Sequence, residues 1–268
     1  MCGTCGCGQD ANGVSIKKPG EKDGSFFHKH DQDHHHHHHD HSHEHSHHDH
    51  HQPNKTLIEL ERDVLQNNQV LAARNRGYFE AKNIFAINLV SSPGSGKTSL
   101  LEKTLRDLKS ELDFSVIEGD QQSMNDAERI GKLGVPVVQV NTGKGCHLES
   151  DMIYNAVKKI NPKQDSVLMI ENVGNLVCPS LFDLGESKRV VVMSITEGED
   201  KPLKYPDMFL SSHVCIINKV DLLPHLNIDM EQIKEYALRI NPNLVFFEVS
   251  AIKGDGMEEW YQWLKSNL

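Results

Sequence analysis

The sequence predicts an α/β fold: a mostly parallel sheet of about seven strands flanked by helices, behind an N-terminal segment of different character. Three observations predict it. Seven short apolar runs are separated by stretches of helical periodicity over residues 84–268. One apolar run opens into a glycine-rich turn and then a helical pattern. Composition also changes sharply near residue 53, from polar and His-rich to periodically apolar. Alternation of strand and helix patterns is the signature of a parallel sheet with helices on both faces.

Residues 1–53 read as a metal-binding segment, disordered until metal binds, because residues 8–53 hold too few apolar side chains to offset ordering entropy. Residues 54–268 then form one domain of ample size for a single core. It opens with an amphipathic helix marked by Leu57, Ile58, Leu60, Val64, Leu65 and Leu71, with Asn54 or Thr56 as its N-cap. Strands follow at Ile84–Val90, Phe114–Ile117, Val135–Val140, Val167–Ile170, Val190–Ile195, Val214–Ile217 and Leu244–Val249. Helical patterns lie at Leu100–Leu108, Leu148–Ile160, Met230–Ile240 and Met257–Leu264.

The glycine-rich turn is SSPGSGKT, residues 91–98. Strand, glycine loop, Gly-Lys-Thr and helix is the layout of a phosphate-binding loop, and hence of a P-loop NTPase. Gly94 and Gly96 let backbone N–H groups turn toward a phosphate chain, and Pro93, Ser95 and Ser99 complete the cradle. The helix N-terminus adds positive potential. Lys97 reaches the outer phosphates, and Thr98 offers a hydroxyl to Mg²⁺. The full pattern begins with Gly, and Ser91 stands there instead.

Asn218-Lys219-Val220-Asp221 ends a later apolar strand and is similar to the base-recognition motif of GTP-binding proteins. A carboxylate at Asp221 accepts from the N1–H and 2-amino group of guanine, a donor pair that adenine lacks. Ser250-Ala251 follows the last apolar run and matches the short loop that supports the base. GTP is therefore expected over ATP. Leu222, Leu223 and Leu226 follow this motif as either core or a dimer contact.

A net charge of −10 argues against nucleic acid, and no apolar stretch approaches the roughly 20 residues of a bilayer span. A cytoplasmic protein is expected, in which six cysteines suggest metal or redox chemistry before disulfides. Histidines crowd residues 28–51, interleaved with acids, a composition that suits buffering of Ni, Zn, Cu or Co. The uninterrupted His34 to His39 has the form of an affinity tag, but it runs on into DHSHEHSHHDHH. Cys2, Cys5 and Cys7, in MCGTCGCG, bring three thiolates to one ion, Ni²⁺ or Zn²⁺. Cys146-His147 and Cys178 lie in two loops that follow strands, so both should emerge at the C-terminal edge of the sheet. Cys215, mid-strand, reads as core.

Together CGTCGCG, VSSPGSGKTSLL, EGDQQSMNDAERI, KGCHLESDMI, ENVGNLVCP, INKVDLLP and SAIKGDGME resemble the nickel-incorporation GTPases of [NiFe]-hydrogenase maturation, in the clan of dimerising metallochaperone GTPases. The resemblance implies GTP hydrolysis with Lys97, Asp120 and Glu171 at the reaction centre, and Thr98 and Asp120 toward Mg²⁺; slow turnover is expected because no arginine finger is evident in the sequence. It implies nickel or zinc at Cys2, Cys5 and Cys7 and at Cys146, His147 and Cys178. It further implies a homodimer favoured by GTP or metal, a partner nickel metallochaperone, and the hydrogenase large-subunit precursor as recipient. A nickel store with a regulatory GTP site, or a related GTPase serving urease or another metalloenzyme, are the competing readings.

Overall fold

The computed structural model describes residues 14–21, 57–121 and 125–268. The first described element, β1 (Ser15–Lys17), is followed by α1 (Leu57–Ala81), β2 (Ile84–Ser91), α2 (Lys97–Leu108), β3 (Phe114–Asp120) and α3 (Asn125–Gly131). Then come β4 (Val137–Asn141), α4 (Ser150–Ile160), β5 (Ser166–Glu171), the short α5 (Cys178–Leu181), β6 (Lys188–Ser194), α6 (Lys201–Lys204) and α7 (Pro206–Ser211). β7 (Val214–Asn218), a 3₁₀ turn (Val220–His225), α8 (Met230–Ile240), β8 (Val245–Val249) and α9 (Met257–Ser266) close the chain.

The strands form one eight-stranded sheet in the order β1-β4-β3-β5-β2-β6-β7-β8. β1 pairs antiparallel with β4, and every other neighbouring pair is parallel. Seven of these strands are the seven apolar runs. Alternation along β2 sorts the core: Ile87 and Leu89 face a cluster built with Leu101, Leu105 and Trp260 from α2 and α9. Ala86 faces the opposite side, where Ile153 and Val157 of α4 and Phe79 of α1 pack. Around Val90 a third cluster gathers Met208, Phe209 and Ile233 from α7 and α8. Loops that bear function therefore leave the C-terminal ends of parallel strands along one edge.

Two features go beyond what the sequence marks. The eighth strand, β1, comes from within the segment read as lacking structure: Val14 and Ile16 pack against the α4-side core, and Lys159 Nζ donates to Ile16 O at 2.7 Å. Secondly, α1 buries its apolar face only along its C-terminal part, from Asn68 onward. Ile58, Leu60 and Val64 are exposed, while Asn68, Ala72, Asn75 and Phe79 are buried. That spacing is helical, but half of its members are asparagines, which no hydropathy pattern marks as core. The proposed N-caps Asn54 and Thr56 lie outside the described residues. Among the described residues, no helix is long and apolar enough to cross a membrane.

Candidate functional site

The phosphate-loop residues, Glu118, Asp120, Glu171 and Lys219 line one cleft of about 560 Å³. Gly94 (φ +79°) and Gly96 (φ +89°) adopt the left-handed conformation that the turn requires. A Cβ on Gly96 would lie 2.4 Å from Asn218 Nδ2, so the loop and the base motif touch at a position open only to glycine.

Lys97 Nζ donates to Glu171 Oε1 at 2.9 Å, and Thr98 Oγ1 donates to the same oxygen at 2.6 Å. Thr98 Oγ1 also lies 3.3 Å from Asp126 Oδ2. Glu171 is at the end of β5 and is almost wholly buried. Glu118, on neighbouring β3, is buried too. Burial first, and then the negative charge of Glu171, push its carboxyl well above the usual carboxylate range, against the opposing pull of Lys97. Asp120 Oδ1 accepts from Gln121 N at 2.7 Å. Three buried atoms in or beside the cleft, Ser95 Oγ, Glu118 Oε2 and Glu171 Oε2, have no hydrogen-bond partner. Sequence reasoning missed Glu118, which directly follows the apolar run Phe114–Ile117, and Asp126, whose place beside Thr98 depends on the tertiary approach of α3. It also missed Arg129, which lines the cleft but is held by Asp126 at 2.9 Å and Glu102 at 2.7 Å.

The base motif binds the phosphate loop from behind. Asn218 Nδ2 donates to Ser95 O at 3.0 Å, and its Oδ1 accepts from Ala251 N at 3.2 Å. Lys219, left-handed at φ +66°, reaches over the loop to Gly94 O at 2.7 Å. Asp221 Oδ1 accepts from Ser250 Oγ at 2.7 Å. One constellation therefore joins Asn218, Lys219, Asp221, Ser250 and Ala251. Leu222 and Leu223 pack against the core, whereas Leu226 is exposed.

Cys146, His147 and Cys178 converge, with ligand atoms all within 4.8 Å of one another. The two Sγ atoms are 3.0 Å apart, beyond the roughly 2.05 Å of a disulfide. The His147 ring stacks on Phe182 at 3.9 Å, which fixes its plane. Two thiols and an imidazole are a donor set for a borderline-soft ion. α1 clamps both loops that carry them. Asn68 Oδ1 accepts from Ser150 N at 2.9 Å and Asn68 Nδ2 donates to Asp183 O at 2.7 Å. Asn75 Nδ2 donates to Ser150 O at 2.8 Å and Leu184 O at 3.1 Å. Cys215 is fully buried, and burial raises its thiol pKa, as suits a core residue. Cys2, Cys5 and Cys7 lie outside the described residues.

This cluster adjoins the nucleotide cleft, since Cys146 lines both. Hydrogen bonds join the two loops. Thr142 N donates to Asp120 O at 2.9 Å, and Gln121 Nε2 to Gly145 O at 3.4 Å. A Cβ on Gly119 would meet Leu148 Cδ1 at 2.8 Å, so Leu148 lies directly on the β3 backbone. Asn172 links three segments. Its Oδ1 accepts from Leu148 N at 3.2 Å, and its Nδ2 donates to Asn88 Oδ1 of β2 at 3.2 Å.

Known proteins resemble this chain in sequence and in fold. The family described as CobW/HypB/UreG, nucleotide-binding domain, matches residues 85–248. The hydrogenase maturation factor HypB of Rhizobium leguminosarum bv. viciae is 56% identical over 209 residues, covering 78% of this chain and 70% of the relative. That of Escherichia coli (strain K12) is 52% identical over 212 residues, covering 79% and 73%. The crystal structure of HypB from Helicobacter pylori in complex with nickel superposes with a TM-score of 0.70 at 39% identity, covering 75% of this chain and 94% of that one. The chain belongs to the CobW/HypB/UreG family of nucleotide-binding GTPases, and within it to the hydrogenase maturation factors of the HypB type.

Proposed function

We propose that this maturation factor is a nickel-handling GTPase whose nucleotide cleft and metal cluster act as one switch. In this reading the cleft takes GTP and GDP with Mg²⁺. Ser95 Oγ, Glu118 Oε2 and Glu171 Oε2 support the fit, as buried polar atoms of the cleft still short of a partner. Pro93 to Ser99 cradle the phosphates, Lys97 neutralises their charge, and Thr98 with Asp120 holds Mg²⁺. The ion supplies charge stabilisation at the phosphates when bound. Asn218 braces the loop while Asp221 reads guanine, backed by Ser250. Asp120 also orients the attacking water, and Glu171 senses the magnesium and the γ-phosphate. Hydrolysis is slow, because Arg129 is engaged by two carboxylates and is not pointed at a phosphate by any bond of its own.

Cys146, His147 and Cys178 hold Ni²⁺ or Zn²⁺, and nickel is cargo. The nickel complex of the Helicobacter pylori protein supports metal binding in such a chain. Cys2, Cys5 and Cys7 form a second site, and the His-rich stretch buffers metal. GTP and metal favour a homodimer, which works with a partner nickel metallochaperone to load the hydrogenase large-subunit precursor.

One observation carries this reading: Cys146 lies in the wall of the nucleotide cleft, on a loop bonded to Asp120 and Gln121. A shift at the end of β3 on nucleotide exchange then moves a metal ligand, and linkage makes metal affect nucleotide equally. Lys97→Ala tests it. A GTP-driven donor loses nucleotide binding and hydrogenase maturation together, whereas a nickel store keeps its metal and its effect on maturation.

A further inference from the structure

Four buried polar side chains cross the neighbouring strands β5, β2 and β6 and end on the turn that carries Cys178. Asn172, directly after Glu171, donates from Nδ2 to Asn88 Oδ1 at 3.2 Å. Asn88 Nδ2 donates to Glu186 Oε1 at 3.1 Å, and Arg189 Nε donates to the same oxygen at 3.0 Å. Arg189 then grips the Cys178 turn, since Nη1 donates to Ser180 O at 3.0 Å and Nη2 to Phe182 O at 2.8 Å. None of the four is more than 9% exposed. Register brings them together. Asn88 of β2 lies opposite Ile170 of β5 and Arg189 of β6, so the side chains of all three share one face of the sheet.

Replacing a buried ion pair by packed apolar side chains is commonly neutral or stabilising, so stability alone does not account for Glu186 and Arg189 in this core. What the ends of the chain touch does. Asn172 Oδ1 accepts from Val173 N at 2.9 Å, which ties the side chain to its own backbone. Two residues on, Gly174 lies against the phosphate loop, where a Cβ would meet Pro93 Cγ at 3.2 Å. A displacement of residues 171–174 on nucleotide exchange therefore carries the Asn172 amide with it. At the far end Phe182 stacks on His147, so the carbonyls that Arg189 holds set both the Cys178 turn and the plane of the His147 ring. We infer that Asn172, Asn88, Glu186 and Arg189 are positioning residues that transmit the state of Glu171 to Cys178. The inference rests on the proposed reading that nucleotide and metal sites act as one switch, and supplies its connection on the Cys178 side, apart from the Asp120 contact that serves the Cys146 loop. The loop of residues 172–177 also joins Glu171 to Cys178. Asn88 lies outside that loop, so a change there separates the two routes.

Site-resolved alkylation tests the route. The full chain, with Mg²⁺ as the only added metal, is held with GDP or with a non-hydrolysable GTP analogue, and peptide mapping reads the rate at which iodoacetamide labels Cys178 and Cys146. The unaltered chain should show a Cys178 rate that differs about five-fold or more between the nucleotides. Asn88→Leu keeps the volume and removes both hydrogen bonds of the amide. It should bring the Cys178 ratio to within about two-fold of unity while GDP affinity and the Cys146 ratio stay as they were. Arg189→Lys keeps a charge beside Glu186 but not the fork that holds two carbonyls, and should do the same. A Cys178 ratio that survives in either folded variant overturns the inference. Should neither variant fold, the unaltered chain decides: hydrogen exchange at the Leu184 amide, which donates to Glu186 Oε2 at 2.7 Å, should change with nucleotide, and unchanged protection overturns it. Equal labelling of both cysteines with both nucleotides in the unaltered chain overturns the switch and the inference together. A response at Cys146 alone leaves the switch standing and overturns only the route to Cys178.

Discussion

Lys97 and Glu171 meet at 2.9 Å in the buried floor of the nucleotide cleft, and Thr98 shares the same carboxylate oxygen. The residues assigned to the phosphates, to Mg²⁺ and to sensing of the γ-phosphate are thus already in contact through one atom. Removing Lys97 leaves the nearly buried Glu171 without its cation, beside the buried Glu118. Lys97→Ala is expected to abolish measurable GTP hydrolysis and to cost about 3 kcal/mol of stability. A chemical denaturation curve beside a phosphate-release assay checks both. A variant that keeps wild-type turnover would remove Lys97 from the reaction centre.

Gly96 is the contact point between phosphate loop and base motif. Gly96→Ala places a methyl group against the Asn218 amide at a left-handed φ. The strain, about 1–3 kcal/mol, should appear as a ten- to hundred-fold loss of nucleotide affinity. Titration with a fluorescent GDP analogue measures it. Affinity within two-fold of wild type would mean that the loop adjusts freely, and that Asn218 does not brace it.

These two sites were legible in the sequence because each is contiguous. SSPGSGKT and NKVD carry their chemistry within a few residues, and the strands before them fix where they emerge. Cys146, His147 and Cys178 were legible for a weaker reason: both loops follow parallel strands, so they had to share an edge. β1 was not legible. Three residues of half-buried strand make no periodic signal within a long polar stretch. Nor was the buried face of α1, where Asn68 and Asn75 are buried by hydrogen bonds to loop carbonyls and amides that only the folded chain brings near.

Those asparagines yield a third prediction. Asn75 bonds Ser150 O and Leu184 O, one just after each of the two segments that carry the metal cluster. Asn75→Ala strips a buried donor from both carbonyls and should cost about 1–3 kcal/mol. It should weaken Ni²⁺ or Zn²⁺ binding while leaving GDP affinity intact. Unchanged metal affinity in a destabilised variant would confine α1 to a structural role.

Acid sensitivity should trace to the same region. Burial tends to raise the Asp183 carboxyl, but the Arg76 guanidinium at 2.8 Å and the Gly185 N–H outweigh it and hold its pKa below the ordinary value. A depressed folded pKa contributes stability that is complete above the unfolded value, about 3.9, and is lost as pH falls through the folded value. Both side chains are substantially exposed, so the contribution is about 1 kcal/mol or less. Asp183→Asn should therefore melt below wild type at pH 7, with the gap closing under about pH 4. A gap that persists unchanged in acid would show that the ion pair is not its source.

Coupling between nucleotide and metal is the claim on which the proposed function depends. The direct measurement is Ni²⁺ affinity in the presence of GDP and of a non-hydrolysable GTP analogue, on a chain with Cys2, Cys5, Cys7 and the histidines of residues 28–51 replaced by serine so that the domain cluster reports alone. A nucleotide-dependent shift of about ten-fold, lost in Cys146→Ser, is the result expected from a coupling free energy of about 1.4 kcal/mol. Equal affinity with both nucleotides would contradict the account, leaving a metal site and a nucleotide site that share a wall but not a switch.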